Sequence, residues 1–265
     1  MFYSIFPVYN GSFTVTLASS NAFSAINNIP SFFFLLLDEQ GEAIVVDTGF
    51  SAEHLPGPRS TFERDTENEL IQALSRFNIS PEQVSTVIQT HLHWDHTGGM
   101  PLFTQASFFL QAEELRGLLR LDPREEIAFC AKHWLNLLPR FILVQGQQEI
   151  RPGLRTILTG RHTPGHQVVE VNTRKGKVIL GGDAPFIYDR MWQAIPDNAW
   201  QAFRNGPGAD YYWQEDVRPT LEKFLRKAGV LHQDPPPPVR LAGLRQDNQF
   251  VLSHDPGLKE VALLS

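Results

Sequence analysis

Apolar positions fall in short runs near the start of the chain, at helical spacing through its middle, and in short runs again further on. Phe13–Leu17, Phe32–Leu37 and Ala43–Asp47 predict strands, the last two flanking the acidic, glycine-ended turn Asp38-Glu39-Gln40-Gly41. Ser51 to Thr66 is polar and broken by prolines, which predicts a long loop of the kind that often carries function. From Glu67 the spacing turns helical, with Leu70, Ile71, Leu74 and Phe77 on one face. A strand, Val84–Ile88, comes next. Helices are predicted over Ala112–Arg120 and Arg124–Leu138, the second opened by Asp122-Pro123 in good N-cap and N1 order.

Strands return at Phe141–Val144, Arg155–Leu158, Val168–Val171 and Val178–Leu180. A helix over Pro219–Ala228 is stopped by Gly229, and Pro235 to Pro238 reads as a stiff connector to the last strands. Strands with intervening helices recur in both halves, which predicts an α/β chain: a sheet-centred sandwich with helices outside. The 265 residues suit one domain over 1–265, since α/β domains of this length are common.

Charge and composition narrow the function. The net charge of −6 leaves no basic field for a phosphate backbone, so nucleic acid is excluded as a partner. Cys130 is the only cysteine, which rules out an intrachain disulfide and a cluster of several thiolates. The start of the chain lacks a signal-peptide pattern, and the run Phe32–Leu37 is far too short to span a bilayer. The expected class is a soluble, cytoplasmic protein with no membrane span. Nineteen Phe and five Trp exceed what a core needs, which suggests a pocket for an apolar ligand.

One hexapeptide dominates the chemistry: His91-Leu92-His93-Trp94-Asp95-His96, just past a predicted strand. Three imidazoles and a carboxylate are costly to crowd into six residues unless something binds them. Neutral imidazole and carboxylate suit zinc, iron, manganese or cobalt. Four such groups on one short loop reach a single tetrahedral ion poorly, so the spacing points to two. Two close divalent ions lower the pKa of a shared water and present hydroxide to an electrophile, and Asp95 is placed to accept its proton.

These residues resemble the signature loop of the metallo-β-lactamase superfamily. Further motifs of that superfamily occur in order: Val45-Val46-Asp47-Thr48-Gly49, Gly160-Arg161-His162-Thr163-Pro164-Gly165-His166, Leu180-Gly181-Gly182-Asp183 and Leu252-Ser253-His254-Asp255. The resemblance implies a four-layer αββα sandwich. It also implies one ion held by His91, His93 and His162, a second held by Asp95, His96 and His254, and Asp183 bridging both. Asp47 and His166 would support the ligands from behind. His54, His133 and His232 lie outside every motif and read as ordinary, partly buried polar residues.

Within the superfamily the chain is most similar to N-acyl homoserine lactonases, through Ile29-Pro30-Ser31-Phe32-Phe33-Phe34-Leu35 and His162-Thr163-Pro164-Gly165-His166-Gln167. That similarity implies a dinuclear hydrolase that opens a lactone ring, with zinc as the expected metal. The partner is a small hydrophobic lactone or ester, and a homodimer stays open as the assembly. Phe50, Trp94, Met100, Phe186 and Tyr188 are the candidates for an acyl-chain wall. One position departs from the lactonases. They carry a tyrosine three residues after the bridging aspartate, where this chain has Phe186, with Tyr188 two residues further on. The alternative is an aryl esterase, thioesterase or organophosphate triesterase of the same fold.

Overall fold

The run Phe32–Leu37 is apolar at nearly every position because both of its faces are covered. Phe33 and Leu35 point into one core with Val45, Val87, Phe108 and Leu110. Phe32, Phe34 and Leu36 point into another with Ile44, Val46, Val169, Val171 and Leu180. That is the two-residue alternation of a strand buried on both sides. The computed structural model describes residues 1–16, 25–56, 60–186, 195–206, 215–246 and 248–264.

Among the described residues the strands pair into two sheets. The first holds β1 (Tyr3–Thr16), β2 (Ala25–Asp38), β3 (Ala43–Val46), β4 (Thr61–Glu63), β5 (Thr86–Ile88), β6 (Ser107–Gln111) and β7 (Phe141–Val144). Its order is β4-β1-β2-β3-β5-β6-β7. The second holds β8 (Gln147–Arg151), β9 (Leu154–Leu158), β10 (Gln167–Thr173), β11 (Gly176–Leu180) and β12 (Gln249–Val251). Its order is β12-β11-β10-β9-β8. Both sheets are mixed: β3, β5, β6 and β7 run parallel to one another, and so does β12 to β11.

The sheets pack face to face over the second core. Helices α1 (Leu70–Ser75) and α3 (Ala112–Leu118), with the helix Val217–Lys227, cover the outer face of the first sheet through Leu70, Leu74, Leu115, Leu118, Leu221 and Leu225. The helix Leu241–Arg245 packs Leu241 and Leu244 against Ile157, Val168 and Ile179 on the outer face of the second. This is the four-layer αββα sandwich.

Several local expectations need correction. The region Ser51 to Thr66 is not loop throughout, because Thr61–Glu63 pairs with β1. Helix α1 buries Leu70, Ala73 and Leu74, whereas Ile71 is 49% exposed. Asp122 does cap its turn, accepting from the Arg124 N–H at 2.9 Å. Beyond that cap the chain forms three 3-10 turns, Pro123–Ala128, Ala131–His133 and Leu135–Arg140, in place of one α-helix. Met100, expected on a pocket wall, is buried in the core under α1 and α3. Tyr188 lies outside the described residues.

Candidate metal centre

Every candidate ligand sits a few residues beyond the C-terminal end of a strand. β5 leads into His91, β9 into His162, β11 into Asp183 and β12 into His254. Carboxyl ends of strands are where open α/β sheets place their binding crevices. After β5 the chain runs irregularly to His93 and then makes one helical turn, α2 (Trp94–Thr97), which swings Asp95 and His96 towards the same point. Gly182, beside Asp183, has φ +51°, and a Cβ there would sit 2.8 Å from Thr90 Oγ1 and 2.9 Å from His166 Nε2. A side chain at that position would push the Asp183 loop out of the site.

The seven side chains form three overlapping groups, each with its ligand atoms within 4.8 Å of one another: His91, His93 and His162; His91, His96 and Asp183; Asp95, His96 and His254. Asp183 faces both ends. Its Oδ1 lies 3.3 Å from His254 Nε2 and 3.4 Å from His96 Nε2, and its Oδ2 lies 3.6 Å from His162 Nε2. Asp95 Oδ2 is 3.3 Å from His254 Nε2.

Hydrogen bonds behind the imidazoles decide which nitrogen looks inward. The His96 Nδ1–H donates to Asp47 Oδ2 at 2.8 Å, the His254 Nδ1–H to the Pro30 carbonyl at 2.7 Å, and the His162 Nδ1–H to the Phe186 carbonyl at 3.1 Å. Thr90 donates its hydroxyl to Asp47 at 2.9 Å, so its oxygen accepts from His91 Nδ1 at 3.0 Å. Each of these four rings therefore turns its Nε2 to the centre. His93 enters the other way, with Nδ1 2.9 Å from His162 Nε2.

A cation fits this donor set. His91 Nε2 is buried without a hydrogen-bond partner, and so are His96 Nε2 and Asp183 Oδ1, whose 3.4 Å approach is poorly aligned. Burial holds His91 and His93 well below the usual imidazole pKa, and neighbouring imidazoles add to it, so both stand neutral as ligands must. Burial would also lower His96 and His254, but Asp183, Asp47 and Asp95 outweigh it for His96, and Asp183 and Asp95 for His254. His96 rises well above its ordinary value and His254 to about 10. The carboxylates thus demand positive charge at this point, which divalent ions supply without protons.

Asp47 is in the left-handed region at φ +58°, rare for a residue with a side chain. That turn aims its fully buried carboxylate at His96 and at Thr90, and through Thr90 at His91. Asp47→Ala should cost roughly 10–100-fold in metal affinity or activity, read by chelator competition and initial rates. An unchanged affinity would show that His96 and His91 hold their orientation without it.

Sequence reasoning missed three residues. Glu114 is buried and accepts from the Leu92 N–H at 3.0 Å, the Thr163 hydroxyl at 2.6 Å and the Gly165 N–H at 3.1 Å, tying two ligand loops together. Burial lifts its carboxyl to about 7 even though these three donors pull it down. Phe129 lies edge-on to His93 at 4.8 Å, and Phe13 edge-on to His254 at 5.9 Å. Phe50 and Trp94 pack against Phe13 in an apolar cluster with Ile127, Ile195, Trp200 and Phe203. Phe186 is 39% exposed and serves His162 through its carbonyl. A cleft of about 120 Å³ opens beside His93 and His162, lined by Leu118, Leu121, Phe129, Pro164, Glu114 and Glu125. His54 and His133, expected to be partly buried, are both buried and contact each other.

The sandwich and this centre define the class. The family described as the metallo-beta-lactamase superfamily matches residues 29–236, and the chain belongs to it. It is a metal-dependent hydrolase of that superfamily. An N-acyl homoserine lactonase of Bacillus cereus is 31% identical over 181 residues, 64% of this chain and 69% of the relative. The N-acyl homoserine lactonase AiiA of Bacillus thuringiensis subsp. kurstaki is 29% identical over 184 residues, with the same coverage. The crystal structure of a quorum-quenching N-acyl homoserine lactone hydrolase superposes with a TM-score of 0.62 at 20% identity, covering 98% of this chain and 96% of that one. That likeness shows the fold. No helix among the described residues is long and apolar enough to cross a membrane.

Proposed function

We propose that this centre binds two divalent ions, zinc being the expected metal with iron, manganese or cobalt as substitutes, and that the chain opens the ring of N-acyl homoserine lactones. In biological terms that is quorum quenching. The observation that carries the reading is Asp183, whose two oxygens face two different histidine groups. Divalent ions held there would supply Lewis acidity, lowering the pKa of water and polarising a carbonyl oxygen. Asp95 is the least buried of the three carboxylates, with its side chain 12% exposed against 3% for Asp183 and 0% for Asp47. It takes the proton from attacking water and returns it to the leaving alkoxide, which a lactone keeps tethered. The apolar side of the cleft, Leu118, Leu121 and Phe129, would receive the acyl chain.

A second reading rests on Phe186, which has no donor where the lactonase resemblance calls for a hydroxyl. Without that donor an aryl ester, thioester or phosphotriester becomes the better substrate. A panel of homoserine lactone, aryl ester, thioester, β-lactam and phosphotriester, run with metal analysis on one preparation, separates the readings. The lactone should turn over fastest with both ions of the hydrolytic centre bound. An aryl ester or phosphotriester turned over faster than every lactone would overturn the lactone assignment.

The donor can be tested directly. Phe186→Tyr should raise lactone turnover several-fold by adding a hydrogen bond to the developing oxyanion. If Tyr188 already supplies that bond, Tyr188→Phe lowers it instead. Lactone rates indifferent to both changes would leave no tyrosine clamp in this enzyme.

A further inference from the structure

A second cluster of metal-binding side chains lies behind α2, outside the hydrolytic centre. The ligand atoms of His54, Cys130 and His133 fall within 4.8 Å of one another, and all three residues are buried. Cys130-Ala131-Lys132-His133 is one 3-10 turn closed by the His133 N–H donating to the Cys130 carbonyl at 3.1 Å. This C-x-x-H turn sets sulfur and imidazole side by side. His54 reaches them from the loop after Ser51, whose carbonyl accepts its N–H at 3.3 Å.

The His133 tautomer suits ligation. Thr97 donates its hydroxyl to the His93 carbonyl at 3.0 Å, so its oxygen accepts from the His133 Nδ1–H at 2.9 Å. The lone pair of His133 is thereby left on Nε2, where it accepts from the His54 Nδ1–H at 3.1 Å, so a cation here would take the place of that shared proton. Two nitrogens bound to one tetrahedral zinc at about 2.0–2.1 Å stand roughly 3.3 Å apart, close to this spacing. Backbone N–H groups of His133 and Lys132 also point at the Cys130 sulfur and favour its thiolate. Burial nevertheless pushes that thiol up to about 12, and burial with His54 and Lys132 nearby pushes His133 down to about 3. Neutral imidazoles therefore stand beside a protonated thiol, whose proton a thiophilic cation would displace to solvent.

We propose that His54, Cys130 and His133 bind a further divalent ion of borderline-soft character, with zinc as the probe, at a site separate from the hydrolytic pair. On binding, the His54 ring shifts its proton from Nδ1 to Nε2 through solvent and binds through Nδ1. The Cys130 S–H bond breaks, a sulfur–metal bond forms and the thiol proton leaves to solvent, with no change of oxidation state. Two imidazoles and one thiolate are a common zinc donor set. The ion acts as a clamp. It pins the 3-10 turns around Cys130 and the His54 loop to Thr97, and through Thr97 to the His93 carbonyl, without touching the seven hydrolytic ligands.

Cobalt substitution tests this on the full chain. Cys130 is the only cysteine, and the hydrolytic centre holds no sulfur ligand. A thiolate-to-cobalt charge-transfer band in the near ultraviolet can therefore come only from Cys130. The band should appear in the cobalt-loaded wild type and vanish in Cys130→Ala. Zinc content should fall by one ion per chain in Cys130→Ala and in His54→Asn, with ester hydrolysis retained. Where Cys130→Ala fails to fold, zinc-edge X-ray absorption on the wild type decides, through a sulfur scatterer at about 2.3 Å. A cobalt-loaded wild type without the thiolate band, or a folded Cys130→Ala with an unchanged zinc count, overturns the site.

Discussion

Asp95→Ala should lose one ion and lower turnover by about a thousandfold, because in the proposed mechanism one side chain would both hold a cation and move a proton. Its Oδ2 lies 3.3 Å from His254 Nε2 and 3.9 Å from His96 Nε2, so its removal leaves that group with two imidazoles and a share of Asp183. Asp95→Asn separates the two roles. The amide oxygen still ligates weakly but cannot accept the proton, so the metal count should recover more than the rate. Metal per chain by elemental analysis and initial rates on one preparation read both quantities. Wild-type turnover in Asp95→Ala, with one ion lost relative to the wild type, would show that a single cation at the hydrolytic centre suffices for the chemistry.

His162→Ala and His166→Ala should part company in metal content although the residues are four apart. The His162 ring offers Nε2 to the centre, 2.9 Å from His93 Nδ1, while its Nδ1–H is held by the Phe186 carbonyl. His166 has both ring nitrogens engaged elsewhere. Thr159 donates its hydroxyl to the His166 carbonyl at 3.0 Å, so Thr159 Oγ1 accepts from His166 Nδ1 at 2.8 Å. That leaves His166 Nε2 to accept the Asp183 N–H at 3.2 Å. Losing His162 should release an ion outright. Losing His166 should keep both ions and cost roughly 10–100-fold in rate or affinity, through a misplaced Asp183. Reversed metal contents would put the motif out of register.

What could be read from the chain depended on how local each cause was. The hexapeptide His91 to His96 carries its chemistry in consecutive residues, and Phe141–Val144 is bounded by turn residues, so both were legible. The stretch Arg124–Leu138 was not. Ile127 and Cys130 face the aromatic cluster, whereas Ala128, Phe129, Ala131 and Trp134 face the main core. A straight α-helix cannot divide adjacent residues between two cores in that order, and tertiary packing overrides the spacing. β8 escaped notice because Gln147, Gln148 and Glu149 are exposed on an edge strand with no apolar alternation. Glu114 reads as the solvent side of an amphipathic helix until Thr163 and Gly165 fold over it from far along the chain.

Candidate ligands from both sheets meet at this centre, and that would give any ion bound there a mechanical role. His91, His93, Asp95 and His96 come after β5 of the first sheet, while His162, Asp183 and His254 come after strands of the second. Each histidine group therefore spans the two layers, and a cation in either one is a cross-link between them. Its binding energy becomes folding energy, about 2.7 kcal/mol for an ion present at a hundred times its Kd. Stripping the ions should then lower Tm together with activity. Hydrogen exchange should quicken first at the strand ends around β5 and β11, where the sheets are fastened, before it reaches the apolar seam between them.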